Sequence, residues 1–243
     1  MIKDGCLDQV DEIYGLHLWN YQPVGEIGVK NGPIMAAADM FDITIKGKGG
    51  HGATPQGTVD AIVVASNLIT MLQTIVSRNT NPLDNTVLTI GKINGGQNFN
   101  VIANEVRLTG TTRAYTEINR NMIKKRMQDI IDGVSRSFGS EIVLEYKEGY
   151  PPTINHENPT EFVLEASSMV VGEGAGYPYL SMAGEDFSYY LQEVPGCFFF
   201  VGSAPDNNIL STPHHCSHFD IDEGSLLIGS SVFVQLAEDL LIA

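Results

Sequence analysis

Four segments of the chain concentrate side chains that could do chemistry. His17 lies inside an otherwise apolar run, and His51 lies in a glycine-rich loop. Glu185 stands beside a second carboxylate, just before an aromatic segment. The densest segment, 213–223, holds three histidines, one cysteine and three carboxylates. These residue types bind transition metals and transfer protons, so metal binding or acid–base catalysis is the chemistry to weigh first.

Each segment also has a purely structural interpretation. His17 could be a core histidine with a hydrogen-bonded ring, and His51 an exposed loop residue without a role. Glu185 could stabilise a helix N-terminus through capping and the helix dipole. Because the 213–223 segment is internal and precedes a helix, it is not typical of an expression tag, and a functional loop is favoured there.

The elements between residues 40 and 148 are predicted from hydrophobic periodicity. Apolar residues alternate at 41–45 and again within 105–115, as in half-buried strands, and two further strands are predicted at 86–93 and 142–146. Apolar residues recur at helical spacing over 59–78 and 123–138. The order β-α-β-β-α-β is the ferredoxin-like split pattern, with two helices on one face of an antiparallel sheet.

The flanking segments have a different character. The runs 13–19 and 197–201 are continuously apolar, which is typical of strands covered on both faces. Helices are expected near 161–171 and 224–241. The predicted fold class is therefore α/β: a partial α/β layer, residues 1–38 and 150–243, interrupted by an α+β domain at 39–149.

Composition excludes some functions. Lys and Arg number 14 against 29 Asp and Glu, a net charge of −15, which argues against a nucleic-acid-binding protein. The three cysteines are widely spaced and form no CxxC pair, as expected in a reducing compartment. The chain opens on no secretory signal, and its longest apolar stretches carry polar residues at helical spacing. These features predict a cytoplasmic protein without a membrane partner.

Six motifs, taken in order, resemble the metal-dependent amidohydrolases that include hippurate hydrolase, N-acyl amino acid deacylases and the plant auxin-conjugate hydrolases. The resemblance extends over essentially the whole chain. The motifs are Gly15-Leu16-His17, Gly49-Gly50-His51-Gly52-Ala53-Thr54-Pro55, Gly95-Gly96 with Asn100-Val101-Ile102, Gly110-Thr111-Thr112-Arg113, Gly184-Glu185-Asp186-Phe187 and His215-Cys216-Ser217-His218-Phe219.

The resemblance implies a catalytic α/β domain that binds two divalent ions, Zn or Mn, with Ni or Co also suitable. It implies that the inserted ferredoxin-like domain is a lid that forms a homodimer. His17 and His215 match metal ligands of the family. His51 matches the histidine that polarises the substrate carbonyl in the active site of the partner subunit. The reaction would be hydrolysis of an N-acyl amino acid or a small peptide-like amide, releasing an amino acid and a carboxylate.

Three further positions match residues that hold or border the substrate. Asn100 and Arg113 match lid-domain residues, and the planar fork of Arg113 suits a carboxylate. Glu185 lies in a motif that borders the active site.

The chain departs from the family in one respect. Family members also carry a Cys-Gly-His-Asp-like metal motif and a Glu-Glu pair whose first glutamate is the general base. Neither occurs here, and Glu12 is the only glutamate among the first twenty residues. We therefore expect the chain to be the C-terminal portion of a hydrolase that acts within a larger or split enzyme. The alternative is a catalytically incompetent dimerisation or binding module derived from such a hydrolase.

Overall fold

The computed structural model describes residues 1–205 and 212–241, which form two compact units. The flanking unit comprises residues 1–35, 153–181 and 185–243, and the inserted unit comprises residues 36–152 and 182–184. Both units combine strands with helices, so the predicted mixed α/β class is confirmed.

The elements are numbered in chain order. The strands are β1 (Ile13–Pro23), β2 (Ile27–Gly28), β3 (Gly32–Met35), β4 (Ala37–Lys46), β5 (Gly50–His51), β6 (Thr86–Gly95), β7 (Val101–Ile102), β8 (Glu105–Ala114), β9 (Glu141–Tyr150), β10 (Thr153–Asn155) and β11 (Gly196–Ala204). The helices are α1 (Ala61–Thr74), α2 (Glu117–Phe138), α3 (Glu157–Val171), α4 (Ser188–Leu191) and α5 (Gly224–Leu241).

The inserted unit has the predicted ferredoxin-like topology. Its four long strands lie in the order β6-β8-β4-β9, and every neighbouring pair is antiparallel. Phe41, Ile43 and Ile45 point inward from β4 and are fully buried, because every second residue of a strand faces the same side. The apolar stripes of α1 and α2 complete this core.

The ends of both helices of the inserted unit follow from local chemistry. The Asp60 carboxylate accepts hydrogen bonds from the first free N–H groups of α1, at 2.9 Å from Ile62 and 3.4 Å from Val63. Helix α2 ends at Gly139, whose φ of 65° is the left-handed conformation that glycine adopts without a Cβ clash.

Two helices, Ala61–Asn79 and Gly224–Leu241, are long and apolar enough to match a membrane span by length and composition. This differs from the expectation drawn from the polar residues at helical spacing in these stretches. Core helices of globular domains share the property, and α1 buries its apolar stripe in the inserted unit. The match is therefore weak evidence for a membrane, and the absence of a membrane partner stays a prediction.

The flanking unit is built around β11, in which every residue is buried. Strand β1 pairs with it in parallel, with His17 opposite Phe200, and β2 pairs antiparallel on the other side. One face of β11 contributes Phe199 and Val201 to a core shared with α3 and α5. The other contributes Phe198 and Phe200 to an aromatic cluster. Two covered faces explain the continuous apolar run.

A buried ion pair lies at one end of the inserted unit's core. The Asp39 carboxylate, 1% exposed, accepts two hydrogen bonds from the Arg120 guanidinium, at 2.9 Å and 2.6 Å. Tyr146 O–H and the Gly149 N–H also donate to it. Burial alone would raise the pKa of Asp39, but these donors hold that pKa below its usual value.

We predict that Asp39→Asn destabilises the chain by about 3 kcal/mol at pH 7, because Arg120 loses its buried charge partner and keeps only the partly exposed Glu117. A carboxyl whose pKa is lowered by folding stabilises the fold above its unfolded pKa, and that contribution is lost as the pH falls through the folded pKa. The difference between wild type and variant should therefore shrink below about pH 4. Urea unfolding between pH 7 and pH 2.5 measures it.

The matched control is Asp129→Asn on α2. Asp129 forms ion pairs with Lys125 and Arg126 on the helix surface, where solvent screens them, so little change in stability is expected. If Asp39→Asn and Asp129→Asn were equally stable at neutral pH, the buried ion pair of Asp39 with Arg120 would not stabilise the fold as predicted.

Candidate active site

His17 lies on β1 with a defined tautomer. Its Nδ1 donates to the Leu18 carbonyl oxygen at 2.6 Å, because a carbonyl can only accept. The neutral ring therefore has an unprotonated Nε2 with a lone pair. Such a ring, fixed through one nitrogen, is the usual form of a histidine that binds a metal through the other.

A second imidazole, that of His214, lies against His17. The ring centroids are 5.2 Å apart, and the His214 ring also contacts Trp19, Tyr21 and Phe219. Its Nε2 accepts the Asn20 backbone N–H at 3.2 Å. Burial, followed by the proximity of His17 and His215, lowers the pKa of His214 to about 4, so the ring is neutral at physiological pH. The motif resemblance implies the neighbouring His215, and not His214, as the metal ligand.

His215, the predicted metal ligand, is exposed, and its φ of 63° is left-handed. Among the described residues, no group of three or more His, Cys, Asp or Glu side chains is placed to hold a metal ion. The imidazoles of the flanking unit are suitable donors, but among the described residues they do not come together in the number that a closed site needs. The metal-ligand roles of His17 and His215 remain predictions.

Glu185 is positioned by an aromatic contact with β1. A Cβ atom built on Gly15 would lie 2.7 Å from the Phe187 ring, so the absence of a side chain at Gly15 lets this ring pack on the strand. The Phe187 N–H donates to the Glu185 carboxylate at 3.3 Å. Burial raises the pKa of Glu185, Asp186 raises it further, and His17 acts in the opposite direction. A half-buried carboxyl within the electrostatic reach of His17 is a candidate functional group.

In the inserted unit, a short ribbon brings two motifs together. Strands β5 and β7 pair with His51 opposite Val101, and the Gly52 N–H donates to the Asn100 carbonyl at 2.8 Å. A Cβ on Gly52 would lie 3.1 Å from that oxygen, which is why glycine suits this position. Both His51 and Asn100 are exposed. Sequence periodicity did not predict this ribbon, because two residues per strand are too few to show a period.

The tautomer of His51 is also defined. Its Nδ1 accepts the Ala53 N–H at 3.1 Å, so the neutral ring carries its proton on Nε2. An exposed Nε2–H is a hydrogen-bond donor, as required of a group that stabilises a developing oxyanion.

Arg113 lies at the other end of the sheet. It pairs with Ala38 at the start of β4, whereas His51 follows Lys46 at the end of β4. From Ala38 to Lys46 the strand extends about 27 Å at ~3.4 Å per residue. Half-buried Arg113 lines a cavity of about 380 Å³ together with Lys92, Thr109 and Thr111, and burial lowers its pKa. The inserted unit thus brings His51 and Asn100 together and keeps Arg113 apart.

Comparison with known proteins agrees with this architecture. Residues 37–137 match the family model of a peptidase dimerisation domain, M20_dimer. The chain is 41% identical over 241 residues to N-acetyl-L-cysteine deacetylase of Bacillus subtilis, covering 99% of this chain and 56% of that protein. It is 35% identical to the IAA-amino acid hydrolase ILR1-like 4 of Arabidopsis thaliana, covering 100% of this chain and 56% of that protein.

A solved structure from Bacillus subtilis, described as a dinuclear metal-binding peptidase from the M20 family, superposes with a TM-score of 0.81 at 28% identity, over 99% of this chain and 60% of that one. The chain thus carries an M20 peptidase dimerisation domain at residues 37–137, and over nearly its whole length it is similar to an M20 peptidase and to proteins named as amide hydrolases. The family predicted from the six motifs is thereby confirmed. The chain spans 56–60% of the length of the curated M20 relatives it matches.

We predict that Gly15→Ala lowers the free energy of unfolding by about 1–3 kcal/mol, because the new methyl group collides with the Phe187 ring. Urea unfolding measures the loss. Gly133→Ala in α2, where nothing lies within 4 Å of the added Cβ, is the control and should be neutral or slightly stabilising. If both variants were equally stable, Phe187 would not be held as described.

Proposed function

We propose that this chain supplies part of the active site of an M20 enzyme that hydrolyses the amide bond of N-acyl amino acids or small peptide-like substrates, acting within a larger or split enzyme. The products would be an amino acid and a carboxylate. The proposal depends most on the 41% identity, across 99% of the chain, to a protein named as an N-acetyl-L-cysteine deacetylase. The relative named as an IAA-amino acid hydrolase also acts on an amide of an amino acid.

We extend metal dependence to this chain from the M20 structure described as dinuclear. Zn or Mn, with Ni or Co also suitable, would be held in part by His17 and His215, two ions in a complete site. The chemistry gained from a bound metal would be a water of lowered pKa and a Lewis acid that polarises the carbonyl. The contribution of His17 is a ring fixed through Nδ1 with Nε2 available.

The inserted unit would bind the substrate. The Nε2–H of His51 would donate to the carbonyl oxygen as negative charge develops on it, and Asn100, which follows on the neighbouring strand, would orient the acyl group. The Arg113 fork, without an acid within ion-pair distance in the described structure, would bind the carboxylate of the amino acid. Glu185 would border the substrate.

The separation within the inserted unit supports a composite site. His51 and Arg113 lie near opposite ends of a strand about 27 Å long, at ~3.4 Å per residue, which is longer than an N-acyl amino acid. The two side chains therefore cannot bind one substrate within a single chain. A homodimer, in which His51 serves the site of the partner subunit, removes this difficulty, and residues 37–137 match a dimerisation domain.

Two surfaces of the flanking unit support a role within a larger enzyme. In the described part of the chain, β1 pairs along one edge only, with β11. Helix α5 exposes Leu227 (74%), Val234 (59%) and Leu241 (83%), seven residues apart and so on one side of the helix. Unpaired strand edges and large apolar stripes favour association. The complementary part would provide the general base and the remaining ligands.

A catalytically incompetent dimerisation or binding module is the second candidate. It is favoured by the lack of a three-ligand metal group among the described residues. For either candidate we propose a cytoplasmic location, with which the three free cysteines agree.

We predict that the chain alone, with Zn²⁺ or Mn²⁺, hydrolyses N-acetyl and N-benzoyl amino acids negligibly, because we expect the general base, worth about 10²–10⁴ in rate, to come from the complementary part. Adding the N-terminal part of the enzyme, fused or in trans, should restore amino-acid release from hippurate. In that complex His17→Ala should abolish most activity, and His51→Ala should lower kcat by about 10²–10³. His218→Ala, an exposed residue with no assigned role, is the control. Robust turnover by the chain alone would show that the base lies within it, with Glu185 the first candidate.

We further predict that the chain forms dimers at tens of micromolar, because the inserted unit carries exposed strand edges at β6 and β9. Sedimentation velocity over a range of concentrations measures this. A monomer without concentration dependence would contradict it.

A mixing experiment tests the composite site directly. In the complemented enzyme, His51→Ala and Arg113→Ala chains should each be nearly inactive. After mixing and exchange of subunits, activity should recover to about a quarter of wild type, since half of the dimers are mixed and each of these holds one intact site. If mixing restored nothing, both residues would serve the same subunit's site.

A further inference from the structure

The loop that carries the clustered histidines is closed at its base by one buried side chain, that of Asn20 on β1. Asn20 is 1% exposed. Its Nδ2 donates to the Thr212 carbonyl at 2.8 Å, the Thr212 hydroxyl at 2.9 Å and the Asp220 carbonyl at 2.6 Å. Its Oδ1 accepts the Ser203 hydroxyl of β11 at 2.5 Å. One carboxamide thus connects both ends of the loop to the central strands.

This arrangement requires an amide. The loop presents acceptors to Asn20, namely two carbonyl oxygens and a hydroxyl that itself donates to the Asp220 carbonyl. An aspartate of the same shape would present an acceptor to acceptors, and an apolar residue would supply neither the donors for the loop nor the acceptor for Ser203. On the opposite side, Ser203 needs only an acceptor, which an aspartate would also provide.

The backbone of Asn20 also takes part, because it bonds the imidazole ring of His214. Its N–H donates to His214 Nε2 at 3.2 Å, and Asn20 follows His17 by three residues on the same strand. Asn20 therefore bonds both the base of the loop, through its side chain, and the His214 ring, through its backbone. Without the side-chain bonds, the loop would keep the Asn20 N–H bond to His214, the bond from the Asp222 N–H to the Ser203 carbonyl, and the aromatic contacts of His214 with β1.

We propose that Asn20 is a positioning residue, which holds the 212–220 loop so that the His214 ring lies against His17. As far as metal binding is concerned, this rests on the proposed function. In this role Asn20 itself contacts neither substrate nor metal. The consequence is that a change at Asn20 should release the loop and weaken metal binding while both cores stay folded.

The test compares Asn20→Asp with Ser203→Ala in the full chain. Asn20→Asp removes the donors to the loop and keeps the acceptor for Ser203, whereas Ser203→Ala does the reverse. Trp19 is the single tryptophan, is 5% exposed, and lies 4.8 Å from the His214 ring, centroid to centroid. Its accessibility to acrylamide therefore reports on the loop. Hydrogen exchange of peptide 212–222 gives a second readout, and Zn²⁺ titration by competition gives a third.

For Asn20→Asp we expect exchange in the 212–222 peptide to accelerate about tenfold or more, as for the loss of at least one buried hydrogen bond. Acrylamide quenching of Trp19 should increase, and Zn²⁺ affinity should fall by about the same factor while the far-UV spectrum is unchanged. Ser203→Ala should leave all three readouts near wild type. Thr212→Val removes one acceptor in the loop and leaves Asn20 intact, so it should shift all three readouts in the same direction to a smaller extent. If Asn20→Asp does not fold, the result for Thr212→Val tests the proposal in its place.

Unchanged exchange and quenching in Asn20→Asp, or equal changes in Ser203→Ala, would overturn the proposal. Wild-type protein that binds no Zn²⁺, alone or with its complementary part, would contradict the proposed function instead. In that case the exchange and quenching results still decide whether Asn20 holds the loop.

Discussion

The parallel pairing of β1 with β11 is the interaction on which the flanking unit depends. It fixes the register of β1, and so the positions of His17 and Asn20, against a strand in which every residue is buried. A parallel pair needs cover on both faces. Here α3 and α5 cover one face and an aromatic cluster covers the other. The histidine loop adds to that aromatic face, because the His214 ring contacts Trp19.

The long elements were predictable from the sequence because each has many repeats of its period. Inward residues of β4 alternate with outward ones, and the stripe of α2 continues to the glycine that ends the helix. Over such lengths the free energy of burying one face outweighs local preferences. The ferredoxin-like order followed from these elements alone. The ribbon of β5 and β7 could not be predicted in this way, because its pairing depends on the close approach of two backbone segments at Gly52.

The candidate site was predictable in residue type but not in arrangement. The sequence identifies His214 and His215 as neighbours, yet which ring turns inward depends on the left-handed backbone at His215 and on the Asn20 N–H, far away along the chain. Likewise, Glu185 comes within electrostatic reach of His17 because Phe187 packs on Gly15. Contacts of this kind join segments that are far apart in the sequence, so local sequence patterns do not predict them.

The length of β4 has a genetic consequence. In the proposed dimer each site takes His51 from one chain and Arg113 from the other, because one sheet is too long to present both to a small substrate. A defect at His51 or Arg113 in one chain then inactivates a site to which the normal partner chain also contributes. In a cell that expresses both an altered and a normal allele, altered subunits would disable sites containing normal subunits, while two differently altered alleles could restore one another. Dominance and interallelic complementation would thus trace back to the span of a single β-strand.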